Sequence, residues 1–361
     1  MHERFRNLVY AVALALMLGN ILVAGRSVFV PVVIAILLVY VILGVSRLLA
    51  LAQVQGRAMP EFARLPVAAL LILLLVAEVG ALLLGGVAAV AARAPDYQDS
   101  FMRAMQQAAA FAGLEREPSW EALRADLIGQ MDVQGLLRSL AMSATALVGV
   151  QFFILLNVAF ILMERGAFEA KIAKLTDDPR HVRRIRLVVD DINQRISRYL
   201  AVKTLINIAL GLISWAIMGA FGVEFAALWA VMIALFNYVP YVGSFVGVAF
   251  PAVLAVAQFG DLNTVLALVV LLTLAQMAMG NVIEPRVMGD ALNLSPWVVL
   301  VSLTVWTSLW GVAGAVVSVP ITAIMVVVFS EFDRTRPLAV LMSRNGDAPR
   351  RPFDAEEDAP A

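Results

Sequence analysis

Long apolar runs dominate this chain and leave few folds open to it. Residues 8–23, 28–51, 66–92, 141–163, 205–221, 225–259, 265–279 and 297–329 are built almost entirely from Leu, Val, Ile, Ala, Phe, Met and Gly. About 20 helical residues cross the roughly 30 Å of bilayer hydrocarbon. A spanning β-barrel would instead need short segments of alternating polarity, so helices are the workable reading. Composition agrees: 61% of residues are apolar and 15% charged. A soluble fold of this size would expose far more apolar surface than soluble monomers tolerate. The expected fold class is all-α, a polytopic helical membrane protein of about six to eight spans.

The same arithmetic excludes other classes. The 27 basic residues are cancelled by 27 acidic ones, which leaves no electrostatic footprint for nucleic acid. Cysteine is absent and His2 and His181 are the only histidines, so disulfides, thiol chemistry and the usual imidazole metal sites are not expected. The H-E-x-x-H and G-x-S-x-G patterns are absent, and so is a phosphate-binding G-x-x-x-x-G-K-[ST] loop. No cofactor is implied, an enzyme is not expected, and the energy for any transport must come from a gradient or another chain.

Orientation follows from the gathering of Lys and Arg on the cytoplasmic side. With a cytoplasmic N-terminus, 20 of the 27 basic residues fall inside, ten of them between Glu164 and Lys203. Arg4 and Arg6 before the first run resemble a signal peptide, but a second run follows after Gly25, Arg26 and Ser27, so the first is read as a retained span.

The expected organisation is three spans over 1–92, an extracytoplasmic amphipathic helical segment over 93–139, a fourth span over 140–163, and a cytoplasmic amphipathic helix over 164–203. A transport core over 204–330 and a disordered cytoplasmic tail over 331–361 complete it. In the outer segment Phe101, Met105, Leu123 and Leu127 recur at helical spacing; it is read as a cap on the spans or as a gate. In the inner one, Asp178-Pro179 starts a helix whose stripe Val182, Ile185, Val189, Ile192, Ile196 and Tyr199 is apolar. Its basic face suits anionic lipid.

Few charges interrupt the core. Glu284, Arg286 and Asp290 sit in one short break, 281–290, with Pro285 between the first two. A charge at membrane depth costs about 2.5–3.5 kcal/mol on insertion scales, so these side chains are either paired and functional or belong to an interfacial loop facing water. Glu78 lies in the middle of the third run, where a carboxylate must be protonated, paired within the bundle, or used in proton coupling.

Two late runs, 225–259 and 297–329, are longer than one span needs, and both are interrupted. Asn237, Pro240, Gly243, Gly247 and Pro251 break the first; Gly311, Gly314 and Pro320 break the second, after Thr304 and Thr307. Such interruptions in corresponding segments point to discontinuous or re-entrant helices lining a site. Close helix packing through Gly243-x-x-x-Gly247, or kinked full spans, would show the same residues. Eight simple spans and six spans plus two hairpins from opposite faces both return the chain to its starting side, but place 284–295 on opposite sides.

The stretches 237–244 (Asn-Tyr-Val-Pro-Tyr-Val-Gly-Ser), 281–289 (Asn-Val-Ile-Glu-Pro-Arg-Val-Met-Gly) and 292–297 (Leu-Asn-Leu-Ser-Pro-Trp), then 309–314 and Val319-Pro320, resemble the autoinducer-2 exporter family, the PerM-like permeases. The entry into the fifth span, 191–203, fits as well. The resemblance is specific over about 185–330. It implies a multi-pass, homo-oligomeric transporter of the bacterial inner membrane; some members export autoinducer-2 and others are linked to sodium/proton exchange. The outer 93–139 segment is not part of the resemblance.

The expectation is therefore a gradient-driven, alternating-access exporter of a small polar solute, with its site between the two broken segments. Asn237, Ser244, Gln276, Asn281, Thr304 and Thr307 offer hydrogen bonds without net charge. Glu284 and Arg286 would pair as a gate or coupling element, with Asp290 and Glu78 as further candidates. Pro240, Gly243, Gly247, Pro251, Pro285, Gly311, Gly314 and Pro320 would supply the bends. The alternatives are a sodium/proton antiporter using Glu284, Asp290 or Glu78, and a membrane scaffold. The expected partners are the lipid bilayer, the solute, protons or sodium, and further copies of the chain.

Overall fold

The computed structural model describes residues 2–51, 53–54, 57–93, 133–174, 177–288 and 292–347. Most of the outer segment (94–132), Asp290 and the tail beyond 347 lie outside the described residues. Nearly everything described is helical: α1 (His2–Ala24), α2 (Arg26–Leu51), α3 (Glu61–Arg93), α4 (Val133–Ile172), α5 (Pro179–Phe221), α6 (Ala226–Phe236), α7 (Val242–Phe259) and α8 (Leu262–Met277). A π-helical turn, Ala278–Ile283, leads into α9 (Glu284–Met288), followed by α10 (Pro296–Glu331) and α11 (Arg336–Met342). The one sheet among the described residues pairs Gln53–Val54 with Arg57–Ala58 between α2 and α3.

Seven of these helices are long and apolar enough to cross a membrane; Val12–Ala24 and Ala226–Phe236 are shorter apolar helices. The fold is thus an all-α polytopic membrane protein. The chain divides into two compact units: Met1–Ala69 with Phe152–Ala201 and Asp290–Ala361, and Leu70–Gln151 with Val202–Gly289.

Unit one packs α2 on the first half of α5. A Cβ at Gly44 would stand 2.4 Å from the Ser197 carbonyl oxygen, so only glycine permits this approach. Arg47 donates to the Ser197 hydroxyl at 2.9 Å beside it. Ile42, Ile196, Val317 and Val326 are buried to 1% exposure or less. Its second feature is a fold-back in α10. Gly311 adopts φ 62°, ψ −139°, and the arm after it returns so closely that a Cβ at Gly314 would lie 1.8 Å from the Trp306 carbonyl oxygen. The base of this hairpin is also closed: Ser295 donates its N–H to Met342 O, Arg344 donates to Asn293 O, and Leu294 bridges Ser343. Hydrogen-bonded neighbours cannot lie on opposite faces of a bilayer, so 296–331 is not one straight span.

Residues 336–342 correct a second expectation. They belong to the segment read as disordered, yet they form α11, with Pro337 in its first turn and Ala339 fully buried. Proline in a first helical turn initiates rather than breaks a helix.

Unit two contains the other hairpin. Its arms α6 and α7 are antiparallel: Ile233 faces Gly247, the Trp229 and Phe250 rings stack at 6.2 Å, and a Cβ at Gly243 would stand 1.9 Å from the Phe236 carbonyl oxygen. Gln258 clasps the base, donating to Gly222 O at 2.8 Å and accepting from the Glu224 N–H at 2.9 Å. The 11 residues of α6 reach about 16 Å, half of the hydrocarbon thickness. Both late segments are therefore discontinuous, and each folds back on itself. Leu210, Met218, Ile233, Leu268 and Leu272 make the core of this unit, with α5, α6, α7 and α8 around it. Asp261 caps α8, accepting from the Asn263 and Thr264 N–H groups.

Candidate functional site

Along α5, Lys203, Thr204, Asn207 and Ser214 fall on one helical face inside unit two, and all four are buried. In an apolar helix such a stripe is costly unless each polar group finds a partner. The broken elements supply most of them. Lys203 Nζ donates to both carboxylate oxygens of Glu284 at 2.7 Å. The Lys203 side chain is 8% exposed and that of Glu284 23%, a nearly desolvated ion pair at the point where the π-helical turn becomes α9. One residue on, the Thr204 and Tyr238 hydroxyls are 2.7 Å apart. One turn on, Asn237 Nδ2 donates to Asn207 Oδ1 at 2.7 Å. Asn237 and Tyr238 are the first residues of the hairpin tip, so the tip is held to α5 by side chains rather than by backbone.

The tip itself is strained. Tyr241, a non-glycine residue, has φ 62°, and its side chain is 63% exposed. Not every polar atom of the strip is satisfied. Asn207 Nδ2, Ser214 Oγ and both amide atoms of Gln276 are buried without a hydrogen-bond partner. Each such group costs about 1–3 kcal/mol. Gln276 sits beside Gly247, whose absent side chain leaves the amide its room: a Cβ there would be 3.4 Å from Nε2. Among the described residues no group of three or more His, Cys, Asp or Glu is placed to hold a metal ion.

The expected site residues separate into three sets. Asn237, Gln276, Ser244 and Glu284 are in unit two, the first two fully buried and the others half-buried. Asn281 and Arg286 belong to the same unit but are exposed, on the π turn and on α9. Thr304 and Thr307 lie in unit one, exposed on the first arm of its hairpin, where Thr304 returns its hydroxyl to Leu300 O. Asp290 lies outside the described residues. Glu78 points from an exposed face of α3. The expected pairing of Glu284 with Arg286 is corrected: residues two apart on a helix face different directions, and Glu284 turns inward to Lys203.

Of the expected bends, Pro240, Gly243, Gly311 and Gly314 stand at or beside the two tips. Gly247, Pro251 and Pro320 are buried within returning arms, and Pro285 follows the π turn. Lys203, Thr204, Asn207 and Tyr238 are the residues sequence reasoning missed. The signal was present in the 203, 204, 207, 214 spacing, but the two ends of that stripe were divided between a cytoplasmic helix and a span.

Residues 10–334 match the model of the AI-2E family transporters. Among curated proteins, the AI-2 transport protein TqsA of Escherichia coli is 34% identical over 193 residues, 53% of this chain and 55% of that one. A putative transport protein of Borreliella burgdorferi is 33% identical over 190 residues, 52% of each. The putative transport protein YhhT of Escherichia coli is 30% identical over 230 residues, 63% of this chain and 64% of its own length. The chain thus spans between half and two thirds of the length of these three relatives. A match over nearly all of the residues, on a polytopic helical frame with two folded-back segments, makes this chain a member of the AI-2E transporter family.

Proposed function

We propose that the protein is a secondary transporter of the bacterial inner membrane that exports a small, uncharged polar solute of the autoinducer-2 kind by gradient-driven alternating access. The observation that carries this reading is the buried polar strip of unit two. Asn207, Asn237 and Gln276 together offer donors and acceptors without net charge, and several of these atoms lack partners in the protein. A hydroxylated solute would supply them. Membership of the family and similarity to the AI-2 transport protein TqsA support transport of this kind.

In this reading Lys203 and Glu284 form the gate or coupling pair. Their ion pair ties α5 to the π turn, and separating it on solute or proton binding would free both the hairpin tip and α9. The chain crosses six times, both termini are cytoplasmic, and the α6–α7 hairpin enters from the outer face while the α10 hairpin enters from the inner. The closed bases of the hairpins and the concentration of basic residues support that orientation.

The test is efflux from proteoliposomes with autoinducer-2 and with sodium under an imposed proton gradient. Gradient-driven autoinducer-2 flux that Asn207→Leu and Glu284→Gln reduce about tenfold or more supports the proposal. Flux that follows sodium and pH and ignores the polyol would replace it with the antiporter reading.

A further inference from the structure

The inward face of α8 carries on past its end with one irregular step. Leu272, Gln276 and Met279 are 6% exposed or less, and after them the side chains turned inward are Glu284 and Met288, both half-buried. The successive steps are four, three, five and four residues. An α-helix turns about 100° per residue, so in an unbroken one Glu284 would stand about 140° around the axis from Met279. The π-helical turn absorbs the difference. The Glu284 N–H donates to Met279 O, five residues back, and this wider turn brings Glu284 round toward the face of Met279. In an unbroken α-helix Glu284 would not face Lys203.

The turn is clamped at its two ends and loose between them. Met279 is 4% exposed in the core of unit two, and both oxygens of Glu284 accept from Lys203 Nζ at 2.7 Å. Asn281, Val282 and Ile283 are exposed, and a Cβ at Gly280 would meet nothing within 4 Å, so no packing fixes the turn between the clamps. Two restraints hold the wide form. One is permanent: the Pro285 ring would press on Asn281 O in an α turn. The other, the ion pair, can be parted. We propose that Ala278–Ile283 is a register switch, π-helical while Lys203 holds Glu284 and α-helical once the pair parts, a change that carries α9 about 100° around its axis. Ile283 then takes the place of Glu284 and Val287 that of Met288, so an apolar side chain stands inward where a carboxylate stood. The inference rests on the reading of this pair as the gate and adds what its parting does to the helix.

Because the chain has no cysteine, a nitroxide label can be placed through Val287→Cys or Met288→Cys alone, in the full chain reconstituted in liposomes. With the pair intact, the label at 288, packed against the core of unit two, should give the broad spectrum of an immobilised side chain. The label at 287, where Val287 is 53% exposed, should give the narrow spectrum of a mobile one. Lys203→Met and Glu284→Gln, each made in both labelled forms, should exchange the two spectra. Spectra that neither substitution alters would overturn the proposal, and exchange by Pro285→Ala alone would assign the turn to the proline. Disulfide formation is the second readout. Lys203→Cys/Ile283→Cys should crosslink faster than Lys203→Cys/Glu284→Cys, since the pair is absent from both, and the reverse order would overturn the switch. Flux measured in the same variants separates the two readings. Exchanged spectra with flux preserved in Glu284→Gln would keep the switch and remove the gate, whereas lost flux without exchange would keep the gate and remove the switch.

Discussion

The Lys203–Glu284 pair concentrates the energetics of the site in two residues. With side chains 8% and 23% exposed, each charge is tolerated only because the other is present. Lys203→Met or Glu284→Gln should each lower the thermal unfolding midpoint in detergent, by the equivalent of about 3–5 kcal/mol for an orphaned buried charge. Lys203→Met/Glu284→Met should recover most of that loss, and additive losses would show that the pair is not coupled. A milder case is Asp261. The Thr264 hydroxyl and the Thr264 and Asn263 N–H groups hold its carboxyl below the usual carboxylate range. A depressed folded pKa contributes stability above the ordinary carboxylate range, and that contribution is lost as the pH falls through the folded value. The stability advantage of the wild type over Asp261→Ala, followed by unfolding midpoint from neutral to acid pH, should therefore shrink toward acid. Glu284 was legible in the sequence because charge is rare in the core. Its partner was not, because 81 residues separate them and Arg286 is the nearer cation along the chain.

At the scale of elements, the two hairpins share one device: a glycine on the returning arm rests against a backbone carbonyl at the end of the outgoing arm. Gly243 meets Phe236 O and Gly314 meets Trp306 O, each so close that a methyl group would overlap the oxygen. Gly243→Ala and Gly314→Ala must push the arms apart, a change that overpacking costs put at about 1–3 kcal/mol or more. Gly219→Ala, on α5 with nothing within 4 Å, should instead be neutral or gain roughly 0.5–1 kcal/mol from helix propensity. Comparing the midpoints of the three variants checks the geometry directly. Runs of 35 and 33 apolar residues with internal glycine and proline announced discontinuity from sequence alone. Whether such a run kinks or reverses is decided by contacts between its own ends, such as Gln258 with Gly222 and Ser295 with Met342, which periodicity does not carry. The same blindness explains α11: Arg336–Met342 is an apolar stretch of only seven residues, too short to stand out from a tail, and it is tied down by Ala339 and the Leu294–Ser343 bridge.

For the whole molecule, neutrality of net charge conceals an uneven spread along the chain, with ten of the 27 basic residues between Glu164 and Lys203, and the orientation proposed from that spread is testable. The closed base of the α10 hairpin places 292–295 and 342–344 on one side of the bilayer. The clasp at Gln258 likewise joins both ends of the α6–α7 hairpin, and α8 with its π turn and α9 is long and apolar enough to cross a membrane. Because the chain contains no cysteine, single cysteines report position without background. Asn263→Cys, exposed in the first turn of α8, should react with a membrane-impermeant maleimide in intact cells. Asn345→Cys, exposed beyond α11, should react only after permeabilisation in the proposed orientation, which puts most basic residues on its side. Labelling of both positions from the same side would mean that α8 and its continuation do not cross. Labelling of Asn345→Cys alone in intact cells would invert the molecule and place the Lys203–Glu284 pair near the outer face rather than the inner.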